Sequence, residues 1–354
     1  MQINRLADRL GEWLSGTGPD SDVVISSRIR LARNLERFNF PARLTGEQRE
    51  ECGAHIREKV LEAGLVQEDG YFPLADYSPL QRHFLVERHL ISREQEDGEP
   101  GRGVAIGDQE VLSVMVLEED HLRLQILKSG FQPEETWRIA TGVDDMLEKQ
   151  LDYAFNPQLG YLTSCPTNVG TGLRVSVMLH LPGLAMTGGL DEIVKSVPQM
   201  GLTVRGYYGE NSEFLGDFYQ VSNEVTLGKA ETEILQMLRA IVDQVIRKEL
   251  RARRTLFQKK LWYVEDVIWR AFAVLTHARI LSSKEAFKLL SPIRLGIEQG
   301  YFSSLSHHAL NRLIVSVQPA HIQLAEGNEY SVEQRDVARA RFLRNAFDRL
   351  DARN

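Results

Sequence analysis

The chain has 354 residues, 43% hydrophobic and 26% charged, and its 42 Lys plus Arg against 49 Asp plus Glu leave a net charge of −7. That composition excludes wholesale disorder, disfavours a dedicated nucleic-acid binder and, at roughly 100–200 residues per domain, suggests two domains that can each bury a core. Two cysteines, Cys52 and Cys165, are too few for a disulfide framework, and no run approaches the roughly 18 apolar residues of a membrane span, so a reducing cytoplasm is the expected home.

The first twenty residues place Arg5, Asp8, Arg9 and Glu12 among Leu6, Leu10, Trp13 and Leu14, a short amphipathic helix without a signal peptide's apolar centre. Val23, Val24 and Ile25 read as a buried strand entering the basic segment SSRIRLARN. Helices are expected over 45–63 and 76–90, followed by a polar, Gly-rich connection over 92–107. The apolar runs 111–117 and 122–127 form a hairpin with Glu118, Glu119 and Asp120 at its tip. A helix over 133–153 precedes the turn-rich loop 161–172 and a strand over 173–181. A helix (190–200), a strand (202–206), a Gly-rich loop (207–216) and a strand (217–221) complete an α+β pattern. Long helices follow over 230–263, 264–281, 284–298 and 331–350. The boundary is placed near 222–235, giving a first domain over 1–230 and an all-α C-terminal domain over 231–354.

Arginines recur at strand ends. Arg28 and Arg30 point to one side of an extended chain about 6.6 Å apart, suited to one polyanion. Arg123, Arg174 and Arg205 each stand at a strand terminus. A solvated edge explains any one of them, whereas their shared context points to a phosphate-binding cluster. There is no GxxxxGK[ST] loop and no GxGxxG after a strand, so side-chain guanidiniums would have to hold the phosphates. One well-placed arginine can be worth about 10³–10⁵ in phosphoryl-transfer rate. The acids at 118–120 and Glu210 in GYYGENSE read either as solvated turns or as a grip for a cationic nucleophile. Cys165, in TSCPTN, has a more polar setting than Cys52.

The strings VVISSRIRLARN, LEEDHLR, CPTNVGTGLR, and VRGYYGE with FYQVSN resemble, in order and over residues 20 to about 240, the signature set of the ATP:guanido phosphotransferases, the family of creatine and arginine kinases. The resemblance implies an antiparallel-sheet catalytic domain with flanking helices, with ATP and Mg²⁺ as cofactors. It implies ATP contacts from Ser26, Ser27, Arg28, Ile29 and Arg30, from Arg123, from Arg174, Val175, Ser176, Val177 and Met178, and from Arg205, Gly206, Tyr207, Tyr208, Gly209 and Glu210. His89 is implied at the nucleotide, with His83 as rival. Glu119 and Glu210 would clamp the acceptor guanidinium with Cys165 against its reactive nitrogen, and Mg²⁺ would ride on the phosphates through water, with no metal ligand from the protein. A guanidinium with a pKa near 12.5–13.8 is a poor nucleophile until a carboxylate orients it and accepts its proton, so these roles are chemically coherent.

Departures bear on the acceptor. The metabolite kinases place a helical domain before the SSRIR-type motif, whereas here only one helix precedes it, which would leave the acceptor site open to a large substrate. Leu117 stands where those enzymes usually carry Asn, and Met178 where they often carry His.

Downstream, RDVARA (335–340) puts Arg335 and Arg339 four apart and Asp336 and Arg339 three apart on a helix. It reads either as a surface salt-bridge lattice over the stripe Leu343, Ala346, Phe347 and Leu350, or as a site. Resemblance to the bacterial protein-arginine kinases favours the second and implies an allosteric phosphoarginine pocket from Arg335, Asp336, Arg339 and Ala340. The basic run Arg247, Lys248, Arg251, Arg253, Arg254, Lys259 and Lys260 reads as a solvated helix face, with docking of an acidic partner or nucleic acid as alternatives. The expectation is an ATP-dependent protein-arginine kinase that marks proteins for a Clp-type unfoldase and protease. A small zinc-binding activator protein would assist, and the kinase would be a homo-oligomer, at least a dimer, with no membrane or nucleic-acid partner. The rival readings are a kinase of free arginine or another small guanidine, and a non-catalytic phosphoarginine adaptor.

Overall fold

The computed structural model describes residues 3–7, 9–207 and 215–351. Its strands are β1 (Val24–Arg33), β2 (Tyr71–Pro73), β3 (Gly103–Ile106), β4 (Leu112–Val116), β5 (Leu122–Ser129), β6 (Phe155–Asn156), β7 (Gly160–Tyr161), β8 (Leu173–His180), β9 (Leu202–Arg205) and β10 (Phe218–Asn223). Helices α1 (Ile3–Ala7), α2 (Gly46–Glu62), α3 (Pro79–Glu87), α4 (Pro133–Glu148), α5 (Pro182–Thr187) and α6 (Leu190–Ser196) lie among the strands. They are followed by α7 (Glu231–Lys259), α8 (Leu261–His277), α9 (Ser283–Glu298), α10 (His307–Ser316), α11 (Pro319–Glu326) and α12 (Val332–Asp351). The described residues form an eight-stranded antiparallel sheet in the order β2-β3-β4-β5-β1-β8-β10-β9, with β6 and β7 as a separate hairpin.

Period-two alternation decides what each face of this sheet does. In β1, Arg28 and Arg30 project to one side and Ile29 and Leu31 to the other. Directly paired residues share a face, so the register matters: Arg30 stands opposite Arg174 on β8 and Gln125 on β5, Ala32 opposite Arg123, and Gln220 on β10 opposite Arg205. All five arginines therefore emerge on one face. A one-residue slip in any strand would send its arginine into the core.

The reverse face carries Ile29, Leu31, Leu124, Ile126, Val175, Val177 and Val221, none more than 1% exposed. Helices α2, α4 and the first half of α7 cover it, with Ile56, Ala140, Leu147, Leu238 and Val242 in the same apolar cluster. Each fully buried Val, Leu or Ile stabilises the fold by about 1.5–3 kcal/mol relative to exposure.

The arginine face is itself divided. At one end it carries Leu127 and Met178, which join Trp13, Tyr207 and Phe218 in a second core shared with α8, α9, α10 and α12. That end is capped by the helical part, and the end bearing the arginines stays open. Helix α7 spans the two parts, its C-terminal Leu256 packing with Val264, Ile268 and Leu295.

The helical part departs from expectation in two places, and the connection expected over 92–107 contains the sheet strand β3. The helix expected over 230–263 is broken at Lys260, whose φ −135°, ψ 35° is not helical, so α7 ends at Lys259 and α8 starts at Leu261. Helices α10 and α11 were not expected. Ser306 caps the first by accepting from the Ala309 N–H at 3.2 Å, and Pro319 opens the second at a position where its missing N–H costs nothing.

Candidate active site

A cleft of about 340 Å³ opens on the arginine face, and Arg28, Arg30, Arg123, Arg174, Arg205 and His89 line it together with Glu118, Glu119 and Cys165. Arg28 is held from both sides: its Nε donates to Ser176 Oγ at 3.1 Å and its Nη2 to Gln220 Oε1 at 2.7 Å. Burial, and then the charges of Arg174, Arg123 and Arg205, push the Arg28 pKa down to about 10. Arg30 is pushed well below the usual arginine range by burial and by Arg28, Arg123 and Arg174, with Glu118 opposing. Two unit charges 4 Å apart interact by about 4 kcal/mol at an effective dielectric of 20. The cleft is thus an electrostatically loaded surface that a polyanion would relieve, and at pH 7 Arg28 stays charged.

His89 follows α3 at a left-handed φ of 59°, and Gln125 Nε2 donates to its carbonyl at 2.7 Å. Its ring sits between Trp13 (centroids 5.3 Å apart) and Tyr207 (5.2 Å). Burial, then Arg28 and Arg30, push its pKa down to about 3, so the imidazole is neutral. His83 lies elsewhere, on α3, its ring 2.8 Å from Glu96 and 3.3 Å from Glu87.

The acidic turn is not a solvated hairpin tip. The Glu118 side chain is 1% exposed; its Oε1 accepts from Arg123 Nη1 at 2.6 Å and its Oε2 from the Glu119 N–H at 2.8 Å. Buried Asp120 accepts from Asn34 Nδ2 and from the Ser164 N–H, both at 2.6 Å, tying the turn to the segment that carries Cys165. Glu119 is left half-exposed beside Arg123 Nη2 at 3.0 Å. Burial raises its carboxyl above the usual range; Arg123 opposes this, while Asp120, Glu118 and Glu94 reinforce it. Cys165 Sγ lies 3.0 Å from Thr167 Oγ1 on a half-buried loop.

Other expected residues fall differently. The side chains of Ile29, Val175 and Val177 are in the core behind the sheet and do not line the cleft. Ser27 also faces away, its hydroxyl donating to the Gly130 carbonyl at 2.8 Å. Ser26 and Met178 occupy the capped end of the arginine face. Gly206 and Tyr207 are buried beyond β9, and Tyr208, Gly209 and Glu210 lie outside the described residues. Sequence reasoning missed Gln220, Gln125, Trp13, Glu94 and the structural part of Glu118. Gln125 and Gln220 were within reach of it, because each shares the arginine face by simple two-residue alternation.

In α12, Arg335 and Asp336 are half-buried, whereas Arg339 is 1% exposed and Ala340 is in the second core. Arg339 donates from Nε to the Val317 carbonyl at 2.6 Å and from Nη1 to the Leu281 carbonyl at 2.7 Å, besides pairing with Asp336. Along the basic run, Arg247, Lys248, Arg251, Arg254, Lys259 and Lys260 are solvated, while Arg253 is buried between Glu249 and Glu298. Among the described residues no group of three His, Cys, Asp or Glu side chains could hold a metal ion, and no helix is long and apolar enough to cross a membrane.

Comparison with known proteins gives a consistent outcome. Residues 53–252 match the ATP:guanido phosphotransferase C-terminal catalytic domain, and residues 262–354 match the protein-arginine kinase McsB C-terminal domain. A protein-arginine kinase of Symbiobacterium thermophilum is 47% identical over 349 residues, covering 97% of this chain and 99% of the relative. That of Bacillus subtilis is 43% identical over 342 residues, covering 96% and 94%. Among solved structures, a lombricine kinase aligns with a TM-score of 0.56 at 28% identity over 69% of this chain and 70% of its own. The duplicated taurocyamine kinase of Schistosoma mansoni, bound to transition-state-analogue components, aligns with a TM-score of 0.57 at 30% identity, covering 70% of this chain and 36% of that one.

Proposed function

The chain belongs to the protein-arginine kinases of the ATP:guanido phosphotransferase family, and from that membership we infer that it transfers the γ-phosphoryl group of ATP to arginine side chains of proteins. The observation that carries this reading is the convergence of five guanidiniums with Glu119 and Cys165 in one cleft.

In this reading Arg28, Arg30, Arg123, Arg174 and Arg205 hold the triphosphate, spreading their charge over its oxygens, and His89 stays neutral beside it. An acceptor guanidinium enters next to Glu119 and Cys165. Its terminal nitrogen attacks the γ-phosphorus, the N–P bond forms as the bond to the β-phosphate's bridging oxygen breaks, and the nitrogen's proton passes to a carboxylate. Glu119, with its raised pKa, is suited to accept it, and Glu210 is assigned alongside it on family resemblance alone. Family membership implies a divalent metal with the nucleotide, and we assign Mg²⁺. In this reading the cation would be held by the nucleotide's phosphates, largely through water. When bound, it supplies charge neutralisation on the phosphates.

Resemblance supports the remainder: phosphoarginine binding at the segment of Arg335, Asp336, Arg339 and Ala340, delivery of marked proteins to a Clp-type unfoldase and protease, a small zinc-binding activator, self-association and a cytoplasmic setting. Likeness to the lombricine and taurocyamine kinases favours one second reading, a kinase of a free small guanidine.

Incubation with ATP and either free arginine or an unfolded protein separates the two, with mass spectrometry run under conditions that spare acid-labile phosphoramidates. Phosphoarginine in the protein is expected, with a loss of about 10²–10⁴-fold in Glu119→Gln. Turnover of free arginine alone would overturn the inference.

A further inference from the structure

Resting on the protein-arginine kinase reading, we propose that the β6–β7 hairpin and the turn 225–228 form an apolar rim that docks an extended, apolar-rich segment of the substrate protein beside its target arginine.

Phe155, Leu159, Val225 and Leu227 are 56%, 46%, 46% and 49% exposed, and they belong to two separate segments that meet. They meet through the Cys165 loop. Tyr161 and Gly170 exchange backbone hydrogen bonds at 2.8 and 3.3 Å, and Thr226 Oγ1 donates to the carbonyls of Thr167 and Val169 at 2.9 and 2.7 Å. The approach is close enough that a Cβ on Gly160 would stand 2.4 Å from the Gly170 carbonyl, and one on Gly170 3.0 Å from Leu227 Cα. Cys165 and Thr167 of that same loop line the cleft. The rim is therefore continuous with the acceptor end of the site and one hydrogen bond away from it.

It is also firm. Phe155 packs edge-on against Tyr161 with centroids 5.2 Å apart, and Tyr161 lies 3.6 Å from the guanidinium carbon of Arg33, which pairs with Asp144 at 2.6 Å.

The occupant follows from chain geometry. An arginine delivered to Glu119 within a polypeptide carries neighbours spaced about 3.3 Å apart, so the residues a few positions away run over the surface around the cleft, which the rim borders on the Cys165 side. A folded protein hides its apolar residues, and a free small guanidine has none to offer. An unfolded segment has both the arginine and the apolar neighbours.

The test compares steady-state kinetics on reduced, carboxymethylated lysozyme with those on a short arginine peptide flanked by Gly and Ser. In the double variant Leu159→Ser, Leu227→Ser, KM for the unfolded lysozyme should rise about tenfold, or about 1.4 kcal/mol, with kcat, KM for ATP and all peptide parameters unchanged. Should that variant not fold, Leu227→Ser alone should give about a threefold rise. An unchanged lysozyme KM would overturn the rim, as would an equal loss on the peptide. A changed sedimentation coefficient of the variant would also overturn it, since the patch would then belong to a second copy of the chain. If the wild-type enzyme modifies no arginine of either acceptor, the kinase reading itself fails and the rim falls with it.

Discussion

Arg30 is expensive to the empty enzyme. It is half-buried among like charges, its pKa pushed well below the usual arginine range by burial and by those charges, and replacing a poorly compensated charge by an apolar group of similar size relieves that repulsion. Arg30→Met should therefore melt at a higher temperature than the wild type without nucleotide. The order should reverse with saturating ATP, and kcat/KM should fall by about 10³ or more. Thermal denaturation with and without ATP reads both, and a variant that melts below the wild type without nucleotide, or still above it with saturating ATP, would argue against a cleft strained by its own charge. Glu118 offers a second check. Glu118→Gln removes a like charge next to Glu119 and leaves Arg123 to pair with Glu119 alone; both changes favour the ionised carboxylate. The acid limb of the pH–rate profile should move to lower pH, and an upward shift would contradict the assignment of Glu119 as base. At this scale the arginines were legible because polar–apolar alternation is written directly in SSRIR, HLRLQ and LRVSV. Glu118 was not, since an acidic turn in sequence looks solvated and only the fold reveals that Arg123 and the Glu119 N–H bury it.

Between elements, α3 and α11 are joined by one carboxylate. Glu87 is 2% exposed and accepts from the N–H groups of Ala320 and His321 at 2.8 and 3.1 Å and from His321 Nδ1 at 2.7 Å, while the adjacent Arg88 pairs with buried Glu110. It caps the start of α11 two residues before His89 enters the cleft. Glu87→Ala should cost about 3–5 kcal/mol in urea denaturation, because it strips a buried charge network of its anion. The hydrogen bond to Glu87, with Glu96 adding to it, pushes the His83 pKa up to about 9 against the pull of burial. A raised folded-state pKa means the contribution is complete below the unfolded value of about 6.5 and disappears as pH rises through about 9. The melting-temperature difference between wild type and His83→Gln should accordingly shrink over that window; a difference that grows would contradict it. Sequence patterns revealed the long helices and missed α10 and α11, whose eight to ten residues carry too few turns for a clear period. They also placed the end of α7 at Tyr263 instead of Lys259, because nothing in KKLWY marks the non-helical Lys260.

For the molecule as a whole, motif order made the catalytic sheet legible, and the change to long helices after residue 230 made the second part legible. What stayed hidden is that the two parts share a core. Trp13, Leu127, Met178 and Tyr207 from the sheet side pack with Leu290, Leu313 and Phe347 from the helical side. That shared core closes one end of the arginine face and leaves the other as the cleft. Contacts between residues hundreds of positions apart leave no local signal, so the burial of Arg339 within RDVARA could not be read from the sequence. In the fold, Arg339 fastens α12 to the turn before α11 and to the loop before α9. A crystal structure with a non-hydrolysable ATP analogue and Mg²⁺ tests the central claim most directly. The phosphate oxygens are expected about 2.7–3.2 Å from guanidinium nitrogens of at least four of Arg28, Arg30, Arg123, Arg174 and Arg205, with the γ-phosphate nearest Glu119 and Cys165. Nucleotide bound elsewhere, or in this cleft with its phosphates turned away from those arginines, would contradict it.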